Sequence, residues 1–147
     1  MKISRFILTL GMLTSASAMA AQVVTHKSPY CGCCSEWVKH MKESGFDVDV
    51  KDHKNLNPVK QKLGVSPELA SCHTSEIQGF VFEGHIPASD IKAFLENPPK
   101  QAMGLAVPGM PLGSPGMEYG DKKDQYDVYA FNEKGHTFVF STHNQDE

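Results

Sequence analysis

The sequence lacks an excess of positive charge, and it contains no run of lysine and arginine residues. Its 147 residues include 14 basic and 17 acidic side chains, which give a formal net charge of -3 at pH 7. Proteins that bind nucleic acids or anionic membranes usually carry clustered basic residues. We therefore expect no nucleic-acid partner and no electrostatic attachment to a membrane. The sequence also shows no internal repeat and no sign of a second domain.

Apolar runs long enough to cross a bilayer are missing as well. The one candidate, Phe6–Leu13, is well short of the about 20 residues that a transmembrane helix needs. It follows Lys2 and Arg5 and precedes Ala18-Met19-Ala20, an A-x-A sequence typical of signal-peptide cleavage. These features predict a Sec-type signal peptide over residues 1–20 and no membrane span after its removal. The alternative, an uncleaved N-terminal anchor, would need a longer apolar run.

Residues 21–147 are predicted to form the mature protein, a single domain. A chain of this length can bury a hydrophobic core without disulfide bonds to support it. Export places the four cysteines in an oxidising compartment, where structural disulfides are the usual outcome. Because the domain does not need such bonds, its cysteines are free to have another function.

Hydrophobic periodicity predicts alternating strands and helices in the first hundred residues. The clearest helical pattern lies over 34–42, where Cys34, Trp37, Val38 and Met41 recur at i, i+3, i+4 and i+7, and Gly45 ends it. The predicted order is a strand at 23–25, a helix at 34–42, a strand at 46–50, a helix from Asn57, a strand or turn at 69–74, a strand at 79–84 and a helix at 89–96. This βαβαββα order predicts an α/β, thioredoxin-like fold, with the first cysteines at the start of the first helix.

The last third of the chain has two parts. Residues 102–120 are rich in glycine and proline and are predicted to be an irregular loop; such a long loop in a compact domain is usually functional or disordered. Two β-rich runs, 126–131 and 136–140, flank a short polar turn and predict a C-terminal β-hairpin added to one edge of the sheet.

Three thiols within four residues, in the motif Cys31-Gly32-Cys33-Cys34, are the strongest functional signal. At a helix N-terminus, unpaired backbone N–H groups and the positive end of the helix dipole favour the thiolate form. Both disulfide chemistry and metal binding use thiolates, so the motif is compatible with either.

Two interpretations of the motif involve disulfide bonds. The first is structural pairing, for example Cys31 with Cys34, or Cys72 with one of the three; three thiols crowded into one turn fit this poorly. The second is a thiol–disulfide oxidoreductase that uses Cys31 and Cys34 at C-x-x-C spacing. Cys33 counts against it, because a third nucleophile inside the motif would offer a wrong partner.

The third interpretation is a site for a soft metal ion. Clustered thiolates select Cu(I), zinc or iron–sulfur clusters. A structural zinc site usually has two spaced pairs of ligands, which this sequence lacks, and iron–sulfur clusters fit poorly with general export. Packed thiolates can bridge neighbouring Cu(I) ions, so copper, as Cu(I) or Cu(II), is the metal that we predict.

Further donors elsewhere in the chain extend this predicted copper site. Cys72 is the fourth thiol, and His73 and His85 are imidazole donors that could instead be hydrogen-bonded turn residues. Met110 and Met117 are thioether donors in the irregular loop, although methionine also fills gaps in a core. The predicted metal ligands are therefore Cys31, Cys33, Cys34, Cys72, His73, His85, Met110 and Met117.

Several of these segments together resemble the CopG family of periplasmic copper-resistance proteins, which carry a CxCC motif. The resemblance rests on the segments 31–37 (CGCCSEW), 71–74 (SCHT), 83–88 (EGHIPA), 104–111 (GLAVPGMP) and 113–118 (GSPGME). It implies a thioredoxin-like domain in the periplasm that holds a cysteine-bridged copper cluster. Carried over by position, the four cysteines are its thiolate ligands, with His73 and His85 as its histidines.

The family resemblance also implies a role in surviving excess copper. Such a protein could interconvert Cu(I) and Cu(II) for partners in copper export or oxidation. In that case it would be an enzyme, a copper oxidoreductase. Two alternatives remain: a thiol–disulfide oxidoreductase acting through Cys31 and Cys34, and a passive copper buffer or chaperone with the same ligands and no turnover.

Overall fold

A computed structural model describes residues 21–145 of the chain. The predicted signal peptide, residues 1–20, lies outside the described residues. The elements in chain order are β1 (Gln22–Lys27), α1 (Gly32–Glu43), β2 (Asp47–Asp52), α2 (Asn57–Lys62), a 3-10 turn (Pro67–Leu69), β3 (His73–Ile77), β4 (Phe80–Glu83), α3 (Ala88–Glu96), β5 (Gly104–Ala106), β6 (Tyr126–Phe131) and β7 (Thr137–His143). The predicted mixed α/β fold is confirmed.

All seven strands belong to one mixed sheet with the order β2-β1-β3-β4-β5-β6-β7. β1 pairs with β2, and β4 with β5, in parallel, and every other neighbouring pair is antiparallel. The βαβαββα order of the first seven elements agrees with the sequence expectation, while the closer likeness to thioredoxin stays a prediction from that order. β3 lies between β1 and β4, and it brings the segment that carries Cys72 beside β1.

Helix α1 has the buried face that the periodicity predicts. Its buried residues are Cys34, Trp37, Val38 and Met41. After the helix, Gly45 adopts φ +91°, a conformation that other residues avoid, and its N–H donates to the carbonyl of Lys42. These contacts end the helix and direct the chain into β2.

The hydrophobic core lies on both faces of the sheet, because successive strand residues point to opposite sides. The larger cluster packs α1 and α3 against one face and includes Trp37, Met41, Phe82, Ile91, Phe94 and Leu105. The smaller cluster, on the α2 side, consists of Val65, Leu69, Val81, Ala106 and Phe131. Within residues 21–145, the structure contains no helix that is both long and apolar enough to cross a bilayer.

The C-terminal hairpin is confirmed as β6 and β7, and it extends the sheet beyond β5. The expectation that all of 102–120 is irregular is wrong for three residues, because Gly104–Ala106 forms β5 between β4 and β6. A Cβ at Gly104 would lie 1.6 Å from the carbonyl oxygen of Val81. Only glycine allows β4 and β5 to approach at this point. Gly104, which the sequence analysis assigned to a loop, therefore belongs to a strand inside the sheet.

Candidate metal centre

The N-terminus of α1 places the first cysteine. The N–H of Cys31 donates to the carbonyl of Ser28 at 3.1 Å, which closes the turn that follows β1. Cys31 is the N-cap residue, and its Sγ accepts the N–H of Cys34 at 3.4 Å. This contact uses one of the backbone donors that a helix start leaves unpaired, and in a reduced Cys31 it would favour the thiolate.

The four cysteines converge at this helix start. The sulfur atoms of Cys31, Cys33, Cys34 and Cys72 all lie within 4.8 Å of one another. The Cys34 side chain is fully buried, and the other three are partly exposed. The structure therefore brings Cys72, which arrives just before β3, against the first-helix cysteines. One ion, or several bridged ions, could contact all four sulfurs.

Two of the four sulfurs are bonded to each other. Cys31 and Cys34 form a disulfide, whereas Cys33 and Cys72 are free thiols. This pairing is one of those that the sequence left open, both as a structural bond and as the pair of an oxidoreductase. Because a disulfide offers no thiolate, all four sulfurs can bind a metal only after this bond has been reduced.

A second group of donors adjoins the first and shares Cys72 with it. Ligand atoms of Cys72, His73 and His85 lie within 4.8 Å of one another. Sγ of Cys72 is 2.9 Å from Nε2 of His85 and 3.3 Å from Nδ1 of His73. Six of the eight predicted ligands are thus contiguous, with Cys72 between the other three sulfurs on one side and the two imidazoles on the other.

The backbone determines which nitrogen of His85 is free to bind. Nδ1 lies 2.8 Å from the carbonyl oxygen of Pro115, which can only accept, so Nδ1 carries the hydrogen in the neutral ring. The lone pair is then on Nε2, the atom that faces Cys72. Burial also lowers the pKa of His85, which keeps the ring neutral. Metal-binding histidines regularly make such a hydrogen bond with the ring nitrogen that does not bind the metal.

His73 is fully buried, and one of its nitrogens has no partner. Its ring lies 4.4 Å from the ring of Trp37, measured between centroids. Burial, followed by the effects of His85 and Lys60, holds its pKa well below the usual value. Within residues 21–145, Nε2 of His73 has no hydrogen-bond partner. Because metals bind the neutral form of imidazole, His73 could be a ligand through Nδ1, the nitrogen that lies 3.3 Å from Sγ of Cys72.

Cys72 is held as a thiol when no cation is bound. Burial, and then the charge of Cys33, raise its pKa to about 12. A bound metal ion reverses this preference, because a cation next to sulfur stabilises the thiolate. These surroundings, buried and rich in sulfur and neutral imidazole, suit a soft ion such as Cu(I) better than a hard ion such as Mg²⁺.

The glycine- and proline-rich loop packs directly on the start of α1. Gly116 has φ +86°, and a Cβ there would lie 2.7 Å from the carbonyl oxygen of Cys33 and 2.8 Å from the N of Trp37. No side chain fits between the two backbones. Met117 is the next residue and is half-buried, whereas Met110 is 51% exposed. The ligand roles of these two methionines stay predictions.

Sequence reasoning missed the polar network under the second donor group. The buried carboxylate of Glu83 accepts the N–H of Ser71 and the hydroxyl of Thr74, each at 2.6 Å, and forms an ion pair with Lys60. Ser71 and Thr74 flank Cys72-His73, so the network fixes the backbone on both sides of two predicted ligands. Burial raises the pKa of Glu83, and Lys60 opposes that effect. The only sequence feature that indicated this network was Glu83 itself, a carboxylate that directly follows the apolar residues 80–82.

Known proteins support this view of the site. A family described as "Protein of unknown function, DUF411" matches residues 69–117, the part that holds Cys72, His73 and His85. None of the curated proteins matches the chain. Two solved structures, of copper resistance protein CopG in Form 1 and Form 2, are each 40% identical with a TM-score of 0.80. The matches cover 86% and 85% of this chain, respectively, and 99% of each solved chain. The chain therefore belongs to the family of the copper resistance protein CopG.

Proposed function

We propose that this protein binds copper in the bacterial periplasm and protects the cell against an excess of it. The observation that carries the proposal is the convergence of four cysteine sulfurs within 4.8 Å, next to two neutral imidazoles. The solved relatives are named as copper resistance proteins, which supports the choice of metal. The predicted signal peptide supports the choice of compartment.

In the reduced protein, Cys31, Cys33, Cys34 and Cys72 supply the sulfur ligands. A thiolate can bridge two Cu(I) ions, so four sulfurs packed this closely favour a site with more than one ion. His85 contributes Nε2, since its other nitrogen is used by the backbone of Pro115. Met110 and Met117, in the loop that packs on the start of α1, are candidates for additional thioether ligands.

The mixture of ligands also supports a redox function. Thiolates favour Cu(I), whereas imidazole binds Cu(II) as well, so a site with both can hold either oxidation state. A protein that interconverts the two could supply the form needed by copper export or copper oxidase components of the periplasm. If it only stores or carries copper, the same ligands would operate without turnover.

The disulfide between Cys31 and Cys34 favours a second candidate, a thiol–disulfide oxidoreductase. The two residues have C-x-x-C spacing at the start of a helix, the arrangement that such enzymes use. An oxidoreductase of this type would exchange disulfides with another protein and would need no metal. The two candidate functions make different predictions for Cys33, because copper binding uses its sulfur and disulfide exchange through Cys31 and Cys34 does not.

The experiment compares Cys33→Ser with Gly32→Ala in the mature protein, residues 21–147. Gly32 lies inside the same motif, is exposed, and has nothing within 4 Å of the position of an added Cβ, so it is a matched control. Each protein is reduced, loaded with Cu(I) without oxygen, and desalted. Copper per chain and disulfide exchange with a test substrate are then measured.

Copper binding predicts that wild type and Gly32→Ala retain copper and that Cys33→Ser loses most of it. The thiol–disulfide candidate predicts disulfide exchange in all three proteins and little copper in any of them. Retention of copper by Cys33→Ser at the wild-type level would rule out a site in which Cys33 bridges the ions.

A further inference from the structure

We propose that the four thiols have two different functions during reduction of copper. Cys31 and Cys34 donate the electrons that convert incoming Cu(II) to Cu(I), and Cys33, Cys72 and His85 hold the Cu(I) that results. This inference rests on the proposed copper function and adds to it the substrate, Cu(II), and the source of the electrons.

The bonding pattern in the structure already divides the thiols in this way. Cys31 and Cys34 are joined, while Cys33 and Cys72 remain free beside them. The donor group of Cys72, His73 and His85 includes neither bonded cysteine, so it is complete when the disulfide is present. Formation of the bond therefore leaves Cys72 with two imidazoles on one side and, on the other, the free thiol of Cys33, whose sulfur lies within 4.8 Å of that of Cys72.

The positions of the cysteines explain why these two would be oxidised. The Cα atoms of Cys31 and Cys34 are 5.4 Å apart, within the usual range for a disulfide. Cys31 is partly exposed and can meet an incoming ion, whereas Cys34 is buried behind it and can complete the bond. Cys72 is instead held by its contact with His85 at 2.9 Å, on the side of the imidazoles.

Starting from the reduced protein, the reaction balances with Cu(II) as the oxidant and the two thiols as the reductant. Two Cu(II) ions each take one electron and become Cu(I). The thiols of Cys31 and Cys34 together give up two electrons and release two protons to solvent, and one sulfur–sulfur bond forms. The free thiols and imidazoles are neither oxidised nor reduced. Each thiol that binds Cu(I) releases its own proton to solvent and becomes a thiolate, the soft ligand that favours Cu(I).

Single-turnover measurement on wild-type mature protein tests the proposal. The protein is fully reduced, desalted without oxygen, and mixed with two equivalents of Cu(II). Cu(I) is measured with a chromogenic chelator specific for that oxidation state. In parallel, free thiols are blocked, the chain is digested, and the disulfide-linked peptides are identified by mass spectrometry.

The expected result is two Cu(I) ions per chain and one disulfide, between Cys31 and Cys34. Cu(II) that stays unreduced, or a disulfide that joins Cys33 to Cys72 or joins two chains, would overturn the inference. The double variant Cys31→Ser with Cys34→Ser is expected to retain Cu(I) that is supplied directly, at a lower stoichiometry than wild type. Loss of all Cu(I) binding in this variant would show that Cys33, Cys72 and His85 do not form a holding site.

Loading with Cu(I) separates failure of this inference from failure of the proposed function. If reduced wild type binds Cu(I) but Cu(II) does not yield the Cys31–Cys34 bond, only the assignment of the electron donors is wrong. If reduced wild type does not bind Cu(I) at all, the copper function itself is wrong.

Discussion

The backbone carbonyl of Pro115 accepts the Nδ1 hydrogen of His85 at 2.8 Å. The two residues are 30 positions apart in the chain, and the contact joins the loop that follows β5 to the end of β4. It fixes the ring so that Nε2 points at the sulfur of Cys72. A loop with little regular structure thus orients a ligand by its backbone alone.

We expect His85→Ala to weaken copper binding by about tenfold or more, the size of effect seen when a metal site loses an orienting group. The matched control is His136→Ala, because His136 is exposed in the turn between β6 and β7. Affinity is measured by competition with a Cu(I) chelator, and both variants are checked for folding. Equal affinities of the two variants would exclude His85 as a ligand.

Gly116→Ala is expected to displace the loop from the start of α1. The positive φ costs about 1–2 kcal/mol for a residue with a Cβ, and the added carbon would also collide with the backbone of Cys33 and Trp37. Gly120→Ala is the control, since Gly120 has φ +57° but open space around the added Cβ. Its cost should therefore come from backbone strain alone.

Urea unfolding should show a larger loss of stability for Gly116→Ala than for Gly120→Ala. A thiol reagent should also modify Cys33 faster in Gly116→Ala, because the loop that packs against the backbone of Cys33 is displaced. If the two glycine variants react and unfold alike, the loop does not restrict access to the cysteines.

The features that could be predicted from the sequence are those with a local signal. The buried face of α1 follows from periodicity, and the hairpin follows from two β-rich runs around a polar turn. The strand β5 was missed, because three residues are too few for a pattern and the strand exists only through its neighbours β4 and β6.

The site likewise has features with a local sequence signal and features that depend on distant parts of the chain. The cysteine motif can be read directly, but its closeness to Cys72 depends on the order of strands in the sheet. The partners of His85 and Glu83, namely Pro115 and Lys60, are 30 and 23 positions away. No pattern in the sequence selects one proline or one lysine among many, so these contacts could be found only in the folded chain.

Lys60→Met should destabilise the protein by about 3 kcal/mol or more, because it leaves the carboxylate of Glu83 buried without its cation. Adding Glu83→Gln should recover part of this loss, since the double variant buries no charge and the amide oxygen can still accept the N–H of Ser71. Lys62→Met, at an exposed position of the same helix, is the control.

Urea unfolding of the metal-free proteins measures these differences. The double variant should be more stable than Lys60→Met alone. If it is less stable, the charge of Glu83 stabilises the protein through contacts other than the ion pair, and the network has been described incorrectly.

The metal-free protein should lose stability as the pH falls through 6.5. Nε2 of His40 accepts the N–H of Ala88 at 3.1 Å, and burial lowers the pKa of His40. Between the lowered pKa and the ordinary value of 6.5, the unfolded chain binds a proton at His40 that the folded chain does not. The stabilisation is therefore complete above pH 6.5 and is lost as the pH decreases. His73 and His85 act in the same direction.

His40→Gln isolates one part of this effect. Its amide oxygen can accept the same N–H but does not titrate, so the variant should lose less stability than wild type between about pH 7.5 and about pH 5.5. Urea unfolding at several pH values gives both curves. Parallel curves would show that protonation of His40 is not linked to folding.

The claim that converging thiolates hold copper is tested most directly by copper X-ray absorption on the reduced, Cu(I)-loaded protein, residues 21–147. The prediction is a first shell made mainly of sulfur, together with scattering from a neighbouring copper ion, which indicates thiolate bridging. A first shell made only of nitrogen and oxygen, or copper that desalting removes, would contradict it.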